Sequence, residues 1–262
     1  MDIMERLHIN RITKGIRQDT EDSVIKEMPL TITLNNRELV TLLCSPHDLK
    51  YLAIGFLSSE GLIRTKEEIK QIVADERRGL VRVETIEDKE LASEFLFKRL
   101  VTSGCGGGAS FYRVTDAQWQ AKIESPLSLS ATEILDLVKE LHRRSQTFRT
   151  TGGVHSAALC NTKSILAFNE DIGRHNAIDK IFGECLLKDT PTDGQILMTS
   201  GRISSEILLK AVKRSIPILI SKSAPTSMAV QFADEFGMTL VGFVRGQRMN
   251  VYTHGWRIVT DD

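Results

Sequence analysis

Cysteine is scarce in this sequence and never paired. Cys44, Cys105, Cys160 and Cys185 stand far apart, with no C-x-x-C pair and no histidine cluster beside them. That spacing argues against a disulfide framework and against a structural zinc site. An excess of charge of either sign is also missing: Lys and Arg number 34, Asp and Glu 34, for a net charge of zero. No global field draws the chain toward nucleic acid or an anionic membrane, so neither partner is expected and any anion site must be local. The apolar runs fall far short of a membrane span. The opening MDIMERLHINRITKG lacks the basic-then-apolar order of a signal peptide, so a cytoplasmic location is expected. There is no internal repeat and no low-complexity tract.

What the sequence does hold is enough apolar material for a sizeable core. Hydrophobic residues make up 41% of 262 and charged residues 26%, which suits one large domain or two smaller ones. In the first part, LTITLNNRELVTLLCS reads as two strands about Asn35-Asn36. SPHDLKYLAIGFLSSEG reads as a helix with Ser45 as N-cap, Pro46 at the first position and Gly61 near the end. Thr65 and Glu68 have the spacing of a capping box, and ERRGLVRVET suggests a further hairpin strand. A boundary is expected near SPLSLS, giving an N-terminal α+β domain over 1–128 and a second domain over 129–262.

The second part has another rhythm. Ser130 and Glu133 form a capping box opening ATEILDLVKELHRRS, with Ile134, Leu137, Val138 and Leu141 on one face. GVHSAALC and SILAFN read as strands about an Asn161 turn. RHNAIDKIFGECLL reads as a helix, QILMTSG as a strand, SSEILLKAVKRS as a helix, IPILISK as a strand and TSMAVQFADEFG as a helix. MTLVGFV and RMNVYTH are the last strands. Near-continuous apolar strands alternating with helices predict an α/β fold with a largely parallel sheet covered on both faces.

In such sheets ligands sit at the carboxyl ends of the strands. Here one end carries Thr199, Ser200, Gly201 and Arg202, and the next carries Lys222, Ser223, Pro225, Thr226 and Ser227. Small hydroxyls, a cation and free N–H groups at a helix start are a recipe for phosphate. N-caps flanked by solvated cations suffice for either loop taken alone; the two loops together weigh evenly between that reading and an anion site. FVRGQRM adds Arg245 and Arg248 around Gly246, read either as a solvated hairpin tip or as a phosphate or guanine contact. NEDIGRHNAID packs Glu170, Asp171, Arg174, His175, Asn176 and Asp179 together at a strand end entering a helix. It reads as a salt-bridged surface or, with Arg174 and His175 foremost, as a ligand wall. TGGVHSA resembles the deaminase H-x-E pattern, but Ala157 stands where the glutamate would be and no P-C-x-x-C follows. Zinc and deamination are therefore not expected, and His155 is read as structural or ligand-binding.

TSGCGGG, residues 102–108, is the exception among the cysteine contexts. Cys44, Cys160 and Cys185 lie in apolar stretches and read as small core hydrophobes. Cys105 sits among four glycines, which leave the sulfur unshielded and offer backbone N–H groups to a thiolate or persulfide anion. A glycine loop that merely hugs a ligand is the alternative.

Together, TSGCGGG, TGGVHSAAL, NEDIGRHNAIDKIFG, TSGRISSEILLKA, ISKSAPTS and GFVRGQRMNVYTH resemble the FdhD/NarQ family from about Pro29 onward. The resemblance implies a cytosolic sulfur carrier, a sulfurtransferase serving formate dehydrogenase. It implies that sulfur arrives from a cysteine desulfurase as a persulfide on Cys105. It then passes to the bis-molybdopterin guanine dinucleotide form of the molybdenum cofactor, which a guanine nucleotide would mimic. The segment Phe243, Val244, Arg245, Gly246, Gln247 and Arg248 matches the one assigned to cofactor binding. The second domain is implied to be cytidine-deaminase-like, α/β/α, without the zinc, and the protein a homodimer. Many members carry C-x-x-C in the cysteine loop, whereas this chain has Gly108 at the second position. A carrier that delivers cofactor without transferring sulfur is the competing expectation.

Overall fold

The computed structural model describes residues 2–87, 100–101, 109–110 and 122–260. The chain opens with a hairpin that the sequence reading did not single out. It comprises β1 (Met4–Thr13) and β2 (Ile16–Ile25), which among the described residues pair only with each other. Its turn, Lys14-Gly15, has positive φ at both residues, the backbone that matches the natural twist of a hairpin.

β3 (Met28–Leu34) and β4 (Arg37–Cys44) follow, joined at Asn35-Asn36 as expected, with positive φ at both. With β5 (Ile69–Asp75) and β6 (Leu80–Thr85) they form a four-stranded sheet in the order β4-β3-β6-β5. Helix α1 (Leu49–Ser59) covers it, and Leu30, Ile32, Leu52, Phe56, Leu57, Val81 and Val83 fill the core between. Two details depart from the sequence reading. The N-cap of α1 is Asp48, at φ 53 and without a side-chain cap, because the Ser45 hydroxyl and amide are spent elsewhere. Thr65 precedes a short 3₁₀ turn over Lys66–Glu68 and makes no capping bond; Glu68 accepts instead from the Arg64 amide. The two-residue strands β7 (Leu100–Val101) and β8 (Ala109–Ser110) pair antiparallel. Cys105, between them, lies outside the described residues.

The second half is built on a six-stranded sheet. β9 (Leu129–Ser130) leads into α2 (Ala131–Arg144), whose capping box is present in full: Ser130 Oγ accepts from Glu133 N, and Glu133 accepts from Ser130 N. Then come α3 (Gln146–Thr151), β10 (His155–Cys160), β11 (Ile165–Asp171), α4 (Arg174–Leu187), β12 (Ile196–Thr199), α5 (Ser205–Val212), β13 (Ile218–Ser221), α6 (Ser227–Glu235), β14 (Thr239–Arg245) and β15 (Arg248–Thr253). β16 (Ile258–Val259) returns to pair with β9. The sheet order is β11-β10-β12-β13-β14-β15.

The α/β class is as expected, but pairing in this sheet is mixed rather than largely parallel. Only β12–β13 and β13–β14 run parallel; β10–β11, β10–β12 and β14–β15 are antiparallel. The reason is connection length. β10–β11 and β14–β15 are joined by short turns, and such turns cannot make the crossover that parallel pairing needs. Alternation along β13 divides the core: Leu219 faces the layer of α4, α5 and α6, while Ile218 and Ile220 face α2.

The two halves are joined helix to helix, α1 against α4. Gly55 and Gly183 make the crossing. A Cβ on Gly55 would lie 1.7 Å from Asp179 O, and one on Gly183 1.9 Å from Tyr51 O. Bare backbone at both positions is what lets these helices meet so closely.

Candidate functional site

β12 and β13 end side by side, Thr199 opposite Ser221, and the loops that follow are stitched together. Thr199 Oγ1 accepts from Gly201 N at 3.1 Å. Ser221 Oγ donates to Gly201 O at 2.7 Å and accepts from Ser223 N at 2.9 Å. Lys222 N donates to Thr199 O at 3.3 Å. The third segment joins through a bulge in β14. Phe243 sits there at φ 53, a left-handed backbone that costs any non-glycine residue energy. Its N–H reaches Ser223 O at 3.0 Å, and Arg245 Nε donates to Lys222 O at 3.0 Å. Three stretches read separately in the sequence are thus one hydrogen-bonded unit.

That unit forms one wall of a pocket of about 830 Å³, within the size range that holds small ligands. Ser200, Lys222, Ser223, Val244, Arg245 and Gly246 line it. The other wall was not foreseen: Leu135, Val138, Lys139 and His142 of α2, then Phe148 and the Gly152–Gly153 turn leading to His155. The α2 face had been read only as core. Its buried stripe of Ile134, Leu137, Val138 and Leu141 is core, but Val138 and Leu141 also border the pocket, beside Leu135, Lys139 and His142. The amphipathic pattern fixes which side is apolar and says nothing of where a neighbouring wall stops.

The remaining expected residues lie around the pocket rather than on it. Thr199 is buried beneath it, and Gly201 packs on Arg174 and His155. Arg202 is exposed, as are Gln247 and Arg248 at the β14–β15 turn. The Phe243 ring lies under the Arg245 guanidinium at 5.9 Å. Thr226 is the N-cap of α6, accepting from Ala229 N, and Ser227 is the first residue of that helix. His175 is withdrawn, with Nε2 3.3 Å from Glu206 and 3.4 Å from Ser204 Oγ. Burial, reinforced by Lys210 and Arg174, pushes its pKa down to about 3 and outweighs the nearby carboxylate.

The dense cluster at 169–179 proves to be mostly scaffold. Asp171, fully buried, accepts from Lys180 Nζ at 2.7 Å, Ser45 N at 3.1 Å, Gly173 N at 2.9 Å and Asn176 Nδ2 at 2.9 Å. Asn176 Nδ2 also donates to Leu43 O, and Ser45 Oγ accepts from Ile172 N. These bonds tie the end of β4 to the end of β11. Asp179 accepts from Ser59 Oγ and Lys210 Nζ, each at 2.6 Å. Glu170 accepts the amides of Thr147 and Phe148, setting α3 at the pocket rim.

Cys44, Cys160 and Cys185 are buried, and burial pushes each thiol up to about 12. None of them is a thiolate near neutrality. Among the described residues no three His, Cys, Asp or Glu side chains gather as metal ligands, and no helix is long and apolar enough to cross a membrane.

A family model described as the FdhD/NarQ family matches residues 25–259. The chain belongs to the FdhD/NarQ family. Sulfur carrier protein FdhD of Bacillus pumilus is 48% identical over 237 residues, 90% of each chain. The protein of the same name from Bacillus subtilis is 45% identical over 248 residues, 95% of each. Among solved structures, a chain from Desulfotalea psychrophila assigned as a formate dehydrogenase accessory protein superposes with a TM-score of 0.82 at 28% identity. The match covers 98% of this chain and 100% of that one. The FdhD/NarQ match takes in both sheets and every segment of the pocket. The β1–β2 hairpin lies before it except for Ile25, which ends β2 and opens the match.

Proposed function

We propose that this chain is a sulfur carrier for formate dehydrogenase maturation, with Cys105 as the sulfur-bearing residue and the pocket as the seat of the molybdenum cofactor's guanine dinucleotide arm. The observation that carries the reading is the convergence of Ser200, Lys222, Ser223 and Arg245 on one pocket at the carboxyl ends of β12 to β14. Hydroxyl, ammonium and guanidinium donors suit phosphate oxygens. The apolar face from Val138 and Phe148 suits a flat heterocycle.

Loading is a thiol exchange. The Cys105 thiolate attacks the outer sulfur of a desulfurase persulfide, a new S–S bond forms on Cys105, and the desulfurase cysteine leaves as thiolate. Delivery as sulfide needs two electrons. The other three thiols are buried and protonated, and Gly108 replaces the second loop cysteine, so those electrons come from an external thiol. Its sulfur attacks Cys105 Sγ and releases hydrosulfide to the cofactor, and a second thiol restores Cys105 from the mixed disulfide. The cofactor, as substrate, has two guanine dinucleotide arms. One pocket per chain then favours a homodimer presenting two pockets.

Intact-mass measurement after incubation with an active cysteine desulfurase and cysteine tests the reading. One added sulfur, removable by reductant and absent in Cys105→Ala, is expected. No addition to the wild-type chain would leave the competing role, cofactor delivery without sulfur transfer.

A further inference from the structure

His155 opens β10 opposite Asp171 of β11 and lines the pocket. Its Nδ1 edge is held against the loop after β12. Gly201 packs against it so closely that a Cβ there would stand 3.4 Å from His155 Nδ1 and 2.9 Å from Arg174 Cβ. On the same side Ser200 Oγ lies 3.5 Å from Nδ1. That hydroxyl already accepts the Ser156 amide hydrogen at 2.9 Å, so its own hydrogen is free to point at Nδ1. Where Nδ1 accepts that hydrogen, the ring proton lies on Nε2. Nε2 itself has no hydrogen-bond partner among the described residues.

We infer that His155 is a ligand-binding residue of this pocket, a neutral imidazole whose Nε2–H donates to an anionic oxygen of the ligand that Lys222 and Arg245 attract. The charged and titratable groups about the ring agree with neutrality. Burial lowers its pKa most, Arg174 from α4 and Arg202 from the loop after β12 lower it further, and Asp171 from β11 raises it. His175, within electrostatic reach of His155, is held well below the usual imidazole range by burial. A neutral donor suits a site already rich in cations. It gives direction without a third positive charge and takes up no proton when the ligand binds.

The identity of the ligand as a phosphorylated guanine nucleotide rests on the reading above; the tautomer does not. Nitrogen-15 NMR of the histidine side chains at neutral pH reads the tautomer directly, and a protonated Nε2 with a bare Nδ1 is expected. Guanosine diphosphate is the binding probe, by calorimetry. His155→Ala should lose about tenfold in affinity, the worth of one hydrogen bond to a charged group. His155→Gln, whose amide reaches the place of Nε2, should stay within about threefold, on the same scale. The ratio of wild-type to His155→Gln affinity should be the same at about pH 6 and about pH 8, because no imidazolium contributes. An Nδ1–H tautomer, an imidazolium at neutral pH, or unchanged affinity in His155→Ala overturns the inference. If the wild-type chain binds no guanosine diphosphate, the nucleotide reading fails, and calorimetry with inorganic pyrophosphate, where the same loss in His155→Ala is expected, decides this one.

Discussion

The cluster at 169–179 and the loops at the ends of β12, β13 and β14 look alike in the sequence. Both are polar, both sit where a strand gives way to a helix or turn, and for both a ligand-binding reading stood beside a structural one. The fold puts them to opposite uses. Asp171 and Asp179 are buried and have their oxygens occupied by Lys180, Ser45, Asn176, Lys210 and Ser59. Lys222 and Arg245 line open space. The denser cluster is glue between the two halves; the sparser one faces the pocket. Charge density in a sequence therefore does not mark a binding site. What marks it is charge that the fold leaves unconsumed.

The largest effect expected from this contrast is on stability. Asp171→Ala strands Lys180, fully buried, without its counter-charge. Losing one partner of such a pair costs about 3–5 kcal/mol, which for a chain of this size is a fall in Tm of roughly 10 °C. Thermal unfolding followed by circular dichroism measures it. A change within about 0.5 kcal/mol, the range of ordinary surface substitutions, would return Asp171 to the ligand wall.

Lys222→Ala should do the reverse. Removing a charged hydrogen-bond donor from an open pocket costs about 1.5–3 kcal/mol of binding, or roughly 10- to 100-fold in affinity for guanosine diphosphate. Tm should scarcely move. A variant that lost stability while keeping affinity would show that Lys222 belongs to the scaffold as Asp171 does.

The elements were largely legible because their signals are local. Asn35-Asn36 supplies its own turn, Ser130 and Glu133 cap each other, and α4 runs over the residues that its apolar spacing marked. What could not be read was distance across the chain. Ser45 looked like an N-cap because its short-range chemistry fits one, yet it bonds to Asp171 and Ile172, more than a hundred residues away. The pocket was half legible for the same reason. Strand ends announce themselves through Ser200, Lys222 and Arg245. Leu135, Lys139 and Phe148 become a wall only because α2 and α3 come to rest opposite those ends.

The join between the halves can be loosened without touching a charge. Gly55→Ala puts a methyl group 1.7 Å from Asp179 O, closer than any contact allows, so α1 and α4 must separate. Overpacking of this kind costs about 1–3 kcal/mol. Denaturant unfolding should show it as a lower midpoint. A midpoint equal to wild type would mean that the helices slide apart at no cost and that the glycine contact does not hold the halves together.

The smallest effect is the most discriminating for the sequence reading. Thr226 was grouped with the phosphate donors because it stands at a helix start beside Lys222. In the fold its hydroxyl accepts from Ala229 N, capping α6, and it lies outside the pocket lining. Thr226→Ala should therefore cost about 1 kcal/mol of stability and leave guanosine diphosphate affinity unchanged, while Thr226→Ser, which keeps the cap, restores the loss. Capping and ligand binding use the same oxygen and the same kind of N–H group, so only paired measurements of stability and affinity separate them. A loss of affinity in Thr226→Ala at constant stability would move the ligand site along the loop toward α6. It would also mean that the helix start, and not the stitched strand ends, carries the phosphate.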